Sequence, residues 1–332
     1  MVPAGSHRLN AGGLSARIPV NARLRSRMQK LNGIRPFVSC DWGTSHFRLR
    51  LLGHPTPREI RTDDGAAKLA AANGDRAENF RVTLAHGLEK LQAPAEFPIF
   101  ISGMASSSIG WKELPYARLP FALDGGNAVW EQMDDRTFLI SGLRSDTDIL
   151  RGEETEVLGL ASTLGRDFPA PAVLILPGTH SKHMEVDGGR ITGFCTHITG
   201  ELFAVLSGHS VLRHSTDPAA PFDLAAFVEG VEEAQRQPLP AALFRVRTRH
   251  VLDGQRAASN TSFLSGLLIA TELAALVRSD RRVILASGES LRRPYTVAAE
   301  ALGLGARLLT VDAEMLASVG QAVLMERILP EK

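Results

Sequence analysis

The sequence predicts an α/β fold built from two related halves, and three stretches carry that prediction. The first is Phe37 to Leu52, where an apolar run ends in Asp41-Trp42-Gly43-Thr44-Ser45 and a second run alternates Phe47, Leu49 and Leu51 with Arg48 and Arg50. Two strands joined by a tight polar turn give this pattern. The second is Pro171 to Val186, which repeats the logic: an apolar strand, the turn Gly178-Thr179-His180-Ser181-Lys182, and an alternating strand through Met184 and Val186. The third is Arg282 to Ser290, a strand that enters a glycine-containing turn and then a helix.

A chain of 332 residues has the length of two ordinary domains, and 44% hydrophobic with 22% charged residues is a globular balance able to bury a sizeable core. The formal net charge of +1 creates no global field for nucleic acid or an anionic membrane, so a bound phosphate must be held by local geometry. Cys40 and Cys195 are too few for a disulfide framework and lack metal-ligand spacing, which points to a reducing cytoplasm. No apolar stretch is expected to reach the roughly 18 residues that span a bilayer. Residues 1–34 carry Arg8, Arg17, Arg23, Arg25, Arg27 and Lys30 without one acidic residue and read as a disordered basic tail. The compact protein is expected from Arg35, divided into domains at 35–160 and 161–332.

Taken in order, Arg58 to Thr62 adds a third strand, and Gly65 to Leu91 has helical spacing through Leu69, Phe80, Leu84, Leu88 and Leu91. Pro98 to Ile101 is a short strand running into the polar, glycine-rich segment Ser102 to Tyr116. Such a segment is either a ligand-bearing loop at a strand end or a surface loop anchored by Trp111 and Tyr116. Thr137 to Ser141 is another strand. The next helix carries Glu153, Glu154 and Glu156 in its first turn, a placement the helix dipole favours with or without a catalytic role. Arg190 to Cys195 closes a second three-stranded meander, and Thr199-Gly200-Glu201 opens a helix. Residues 215–255, punctuated by prolines, read as helical excursions lining the cleft or an interface where a homodimer would form. Thr261 to Val277 is a helix, Arg307 to Val311 a strand, and Ala313 to Leu324 the final helix.

The turn chemistry suggests phosphate. Gly43 lets the backbone approach a ligand, Thr44 and Ser45 offer donors, and Asp41 can hold a divalent cation through water, although an ordinary hairpin with an Asx-type turn has the same residues. Gly288 at the end of its strand can let an adenine or ribose lie against the backbone, or merely relieve packing. His180 and His183 fall on opposite faces of a strand and do not suit one metal ion. The sequence contains no Walker A loop, no G-x-G-x-x-G fingerprint, no H-E-x-x-H helix and no G-x-S-x-G elbow.

From about Arg35 onward, the order of hairpin, polar loop, glutamate helix, second hairpin and strand-Gly-helix resembles the sugar kinase, actin and Hsp70 superfamily. More narrowly, Leu176 to Lys182 and Thr199 to Leu206, with Gly103-Met104 and Gly110 to Tyr116, resemble the 2-dehydro-3-deoxygalactonokinase family. The resemblance implies two ribonuclease-H-like domains flanking a cleft and ATP-dependent phosphorylation of the 6-hydroxyl of 2-dehydro-3-deoxy-D-galactonate, a galactonate-breakdown step. It implies ATP and Mg²⁺ as cofactors, with Asp41, Gly43, Thr44 and Ser45 as a first phosphate loop. Gly178, Thr179, His180, Ser181 and Lys182 form a second, Gly288 belongs to an adenosine loop, and Asp41 is the Mg²⁺ ligand, directly or through water. Ser106, Ser107, Trp111, Lys112 and Glu201 are then expected at the sugar acid. Many sugar kinases of the superfamily carry an aspartate base in the second phosphate loop, whereas Ser181 follows His180 here. The base is therefore expected to be Glu154, or failing that Glu153, because Arg151 to Thr155 also looks like the glutamate segment of exopolyphosphatases. A phosphohydrolase and a non-catalytic protein of the same fold are the alternatives.

Overall fold

The computed structural model describes residues 34–168 and 170–330, so the expectation for the basic tail lies outside the described residues, Ile34 excepted. The first hairpin forms as β1 (Phe37–Trp42) and β2 (Phe47–Leu52), and β3 (Arg58–Thr62) extends the antiparallel meander. The expected single helix divides into α1 (Ala66–Ala71) and α2 (Arg76–Leu91). Asn73-Gly74-Asp75 interrupts it: Gly74 has a positive φ, and the Asp75 side chain accepts a hydrogen bond from Glu78 N at 2.8 Å, restarting the helix with an N-cap. There follow β4 (Ile99–Gly103), β5 (Ala117–Arg118), β6 (Phe121–Ala122), β7 (Trp130–Gln132), β8 (Thr137–Ile140), β9 (Leu143–Arg144), β10 (Ile149–Leu150) and α3 (Glu153–Leu164).

The second half opens with β11 (Ala172–Leu176), β12 (Ser181–Asp187) and β13 (Arg190–His197), again an antiparallel meander. Four helices come next: α4 (Thr199–His209), α5 (Leu224–Arg236), α6 (Leu239–Val251) and α7 (Ala257–Val277). The chain ends with β14 (Arg282–Ser287), α8 (Glu289–Ala301), β15 (Leu308–Asp312) and α9 (Leu316–Ile328).

The two six-stranded sheets share one plan, with orders β3-β2-β1-β4-β8-β7 and β15-β14-β11-β12-β13-β6. In each, a meander lies to one side of the first strand and two parallel strands lie to the other: β4 and β8 beside β1, β14 and β15 beside β11. This is the duplicated ribonuclease-H-like arrangement expected. Strand β6, from the first half of the chain, pairs with β13 and so edges the second sheet.

Alternation along the strands assigns two faces. Ala172, Leu174 and Leu176 enter a core shared with Phe37, Phe100 and Phe138 of the first sheet and with Val157, Leu158, Leu316 and Leu324 of α3 and α9. Val38, Cys40 and Trp42 point the other way, against Phe80 and Leu84 of α2. Val173 and Ile175 likewise pack outward with Phe227 of α5 and Leu273 of α7. One expectation is corrected here, because α7 is long and apolar enough by length and composition to cross a membrane. Its most apolar window is 72% buried inside the protein, the environment of a core helix.

Between the sheets, α3 and α9 cross backbone to backbone. A Cβ on Gly159 would lie 2.0 Å from Leu316 O, and one on Gly320 would lie 1.8 Å from Thr155 O. Helix α9 is also tied to the first sheet, Gln321 Nε2 donating to Cys40 O and Ser102 Oγ, each at 2.8 Å. Replacing Gly320 with alanine is expected to force the helices apart and destabilise the protein by about 1–3 kcal/mol. Thermal melting checks this, and a melting temperature equal to wild type would show that the crossing has slack.

Candidate active site

Three elements converge where the sheets face each other: the β1–β2 turn, the start of α3, and the β11–β12 turn. In the first, Gly43 N donates to His46 O at 2.9 Å, and the carbonyls of Gly43 and Thr44 accept from Ala66 N and Ala67 N, seating the turn on the start of α1. Gly43 is half-buried, Thr44 and Ser45 are exposed, and Asp41 is half-buried opposite Arg48 in the β1–β2 register. Burial pushes the Asp41 carboxyl up, against the opposing pull of Arg48, Arg50, Arg61 and His46.

Helix α3 begins after Gly152, whose φ of 104° suits glycine and brings its Cα face against Gly103. Its two candidate glutamates are placed differently. Glu154 is 2% exposed and folds back on the helix start, one oxygen accepting from Gly152 N and the other from Thr155 Oγ1, both at 2.8 Å. Glu153 has a side chain 25% exposed, accepts from Arg151 N at 3.0 Å, and lies 3.8 Å from Lys182 Nζ. The two glutamates thus differ in their contacts: Glu154 is turned back onto the first turn of α3, and Glu153 faces Lys182 of the β11–β12 hairpin.

The electrostatics follow from confinement. Burial, and then the charge of Glu153, push Glu154 up to about 7. Burial also raises Glu153, with Lys182 opposing, and raises Glu156 well above the usual carboxylate range, where Asp41, Glu153 and Glu154 add to the effect. Among the described residues, no group of three side chains has metal-binding geometry. Asp41 fits a cation only in company with ligand or water oxygens.

In the second hairpin, Thr179 O accepts from Glu201 N at 3.0 Å, and His180 Nε2 lies 2.6 Å from Glu201 Oε2. Glu201 thus stands beside the β11–β12 turn rather than beside the polar loop of the first half. Gly178 and Gly200 touch closely, a Cβ on Gly200 falling 2.5 Å from Gly178 O. Lys182 is buried and directed at Glu153. The Ser181 hydroxyl is buried and donates to Glu272 Oε1 at 2.6 Å. An apolar slot of about 150 Å³ opens beside Gly178, lined also by Gly200, Phe203, Leu268, Leu291 and Tyr295. Gly288 caps α8, exposed, with open space where a Cβ would sit.

The residues expected at the sugar acid are largely engaged within their own loop. Ser106 Oγ donates to Gly103 O at 3.2 Å and accepts from Arg151 Nη1 at 2.8 Å, and Ser107 Oγ donates to Met104 O at 2.7 Å. Trp111 belongs to the core cluster with Trp42 and Phe80 rather than forming an open wall, and exposed Lys112 is paired with Glu131. Two residues that sequence reasoning missed organise the surroundings. Arg151 ties this loop to α3, and Glu272 lies beneath the second hairpin. The signal for Glu272 was present, since it is the one charged residue in the apolar run of α7.

A family model described as 2-keto-3-deoxy-galactonokinase matches residues 41–322. The chain belongs to this family. A relative named for 2-dehydro-3-deoxygalactonokinase in Rhizobium meliloti (strain 1021) is 34% identical over 302 residues, 86% of this chain and 96% of its own. The 2-dehydro-3-deoxygalactonokinase of Escherichia coli (strain K12) is 30% identical over 276 residues, 80% of this chain and 90% of its own. A crystal structure from Sinorhizobium meliloti bearing the same enzyme's name superposes with a TM-score of 0.79 at 34% identity, covering 89% of this chain and all of that one.

The Glu154 cap has a measurable signature. Burial and the neighbouring charge of Glu153 push its carboxyl up from 4.5 to about 7, so the native state keeps a proton that the unfolded chain releases between those values. Stability must therefore fall as pH rises through that window, with the full loss reached above it. Glu154→Gln removes this contribution, so wild-type melting should decline more steeply between pH 5 and 8 than that of the variant. Parallel melting curves would refute the assignment.

Proposed function

We propose that the protein transfers the γ-phosphoryl group of ATP to the 6-hydroxyl of 2-dehydro-3-deoxy-D-galactonate. Family membership supports a nucleotide-using sugar-acid kinase, and the names of the relatives support this acid. The observation that carries the chemistry is the approach of Lys182 to Glu153 at 3.8 Å, next to Asp41, where the two hairpin turns converge. Phosphoryl transfer needs in-line positioning and charge neutralisation more than covalent chemistry, and the site is arranged for both.

The apolar slot beside Gly178 takes the base of the nucleotide, and the Gly178–His180 turn with Lys182 receives its phosphates. Lys182 acts as a point charge on the transferring phosphoryl group. Glu153, partly exposed and facing Lys182, accepts or orients the proton of the attacking hydroxyl. Glu154 holds the first turn of α3 in place so that Glu153 keeps this aim. Asp41 is the residue that would hold a magnesium ion, which would supply further charge neutralisation. On the acid side, the Ser102 to Tyr116 loop, anchored by Arg151, forms the wall nearest Glu153. We place the domain boundary near residue 160, with the sugar acid on the first domain and ATP on the second.

Incubation with ATP and a panel of 2-keto-3-deoxy sugar acids tests the reading. Phosphorylated acid is expected, whereas ATP hydrolysis without it would favour the phosphohydrolase alternative and overturn the proposal. Glu153→Gln is expected to cut kcat by roughly 10²- to 10⁴-fold, the range for loss of a general base, with melting little changed. Near-normal turnover in that variant would remove Glu153 from the chemistry. Lys182→Ala should raise the KM for ATP or lower kcat, and steady-state kinetics unchanged in both would exclude Lys182.

A further inference from the structure

Helix α7 carries a single ionisable side chain, Glu272, and only 1% of that side chain is exposed. A carboxylate so deeply buried persists only when hydrogen-bonded from several sides. Glu272 Oε1 accepts from Ser181 Oγ at 2.6 Å and lies 2.9 Å from His183 Nε2, while Oε2 accepts from Tyr295 OH at 2.8 Å. The hydroxyl of Thr199 also donates to it. Burial pushes the carboxyl up, but the hydrogen bonds from His183 and Ser181 and the charge of His183 outweigh it and leave Glu272 below the usual range.

These four partners belong to three separate elements, and each element builds one part of the nucleotide side. Ser181 and His183 start β12 directly after the phosphate turn, Thr199 starts α4, and Tyr295 lies on α8. Thr199 and Tyr295 line the apolar slot proposed for the base. Glu272 and Thr199 line a separate cavity of about 270 Å³, so the carboxylate sits behind the slot rather than within it.

We propose that Glu272 is a positioning residue that sets the spacing between the phosphate hairpin and the base slot, so that one nucleotide is gripped at both ends at once. This rests on the kinase reading above for the placement of base and phosphates. Two contacts held at a fixed separation reinforce each other, and they lose that reinforcement when the separation is free to vary. Loss of the staple must therefore weaken a nucleotide that spans both parts more than a nucleoside that fills the slot alone.

Glutamine at position 272 keeps the volume but presents an NH₂ group to a ring of donors. Calorimetric titration of ADP and of adenosine into wild type and Glu272→Gln, with steady-state kinetics on both substrates, tests the idea. The expected result is a rise of about tenfold in the ADP Kd and the ATP KM, the scale of one charged hydrogen bond, with the adenosine Kd and the sugar-acid KM within twofold of wild type. An unchanged ADP Kd, or equal rises for ADP and adenosine, would overturn the proposal. Tyr295→Phe removes one donor while keeping the ring in the slot, and so reads the same effect should Glu272→Gln fail to fold. It is expected to raise the ADP Kd more than the adenosine Kd, and equal effects on the two overturn the proposal. The ADP titrations contain no sugar acid, so they test Glu272 whether or not that acid is the substrate.

Discussion

Helices α3 and α9 cross between the sheets so closely that neither can carry a side chain at the contact, and the acidic groups of the cleft take their positions from that crossing. Gly159 and Gly320 let the two backbones meet, and the Ser39 hydroxyl of β1 reaches Ser318 of α9 at 2.8 Å. Arg50 of β2 donates to Glu314 O at 2.8 Å, just ahead of α9. The last helix of the chain is thereby anchored to the first sheet, and α3, packed against it, points its N-terminus at the opening between the two hairpins. A wider crossing would displace the first turn of α3, and with it Glu153, by a sizeable fraction of a hydrogen-bond length.

That placement carries an electrostatic cost. Asp41, Glu153, Glu154 and Glu156 are all raised above the ordinary carboxylate range, burial being the largest cause for each. A carboxyl raised in this way holds its proton more readily, so burial reduces the negative charge that the four would otherwise present to one another. Lys182, 3.8 Å from Glu153, opposes the rise at that residue.

Much of this architecture was legible in the sequence, for identifiable reasons. Both hairpins declared themselves because a continuous apolar run, the mark of a strand buried on both faces, passes through a short polar turn into an alternating run. The strand-Gly-helix at Ser287 was legible because its apolar run stops abruptly. The contacts that separate Glu153 from Glu154 were not legible, since adjacent helical residues differ by about 100° in direction and the partners, Lys182 for one and the turn of Gly152 and Thr155 for the other, are set by tertiary packing. The inward course of the Ser181 hydroxyl was not legible, because its partner Glu272 lies 91 residues away in the chain. The internal hydrogen bonds of the loop serines and the burial of Trp111 were not legible either, because they depend on how the loop folds back on Gly103 and Met104.

That self-sufficiency points to how the loop works. Arg151 donates to Ser106 Oγ and to Leu114 O, and its guanidinium stacks 4.0 Å over the Tyr116 ring, so three points of the Ser102 to Tyr116 segment are held by one side chain. The backbone N–H of the same residue donates to Glu153. One residue therefore links the Ser102 to Tyr116 loop to the carboxylate facing Lys182. A displacement of the loop pulls on Arg151, and through one residue of backbone on Glu153. The loop and the Glu153 carboxylate consequently move as a single body, and their mutual geometry is fixed by covalent and hydrogen-bonded neighbours.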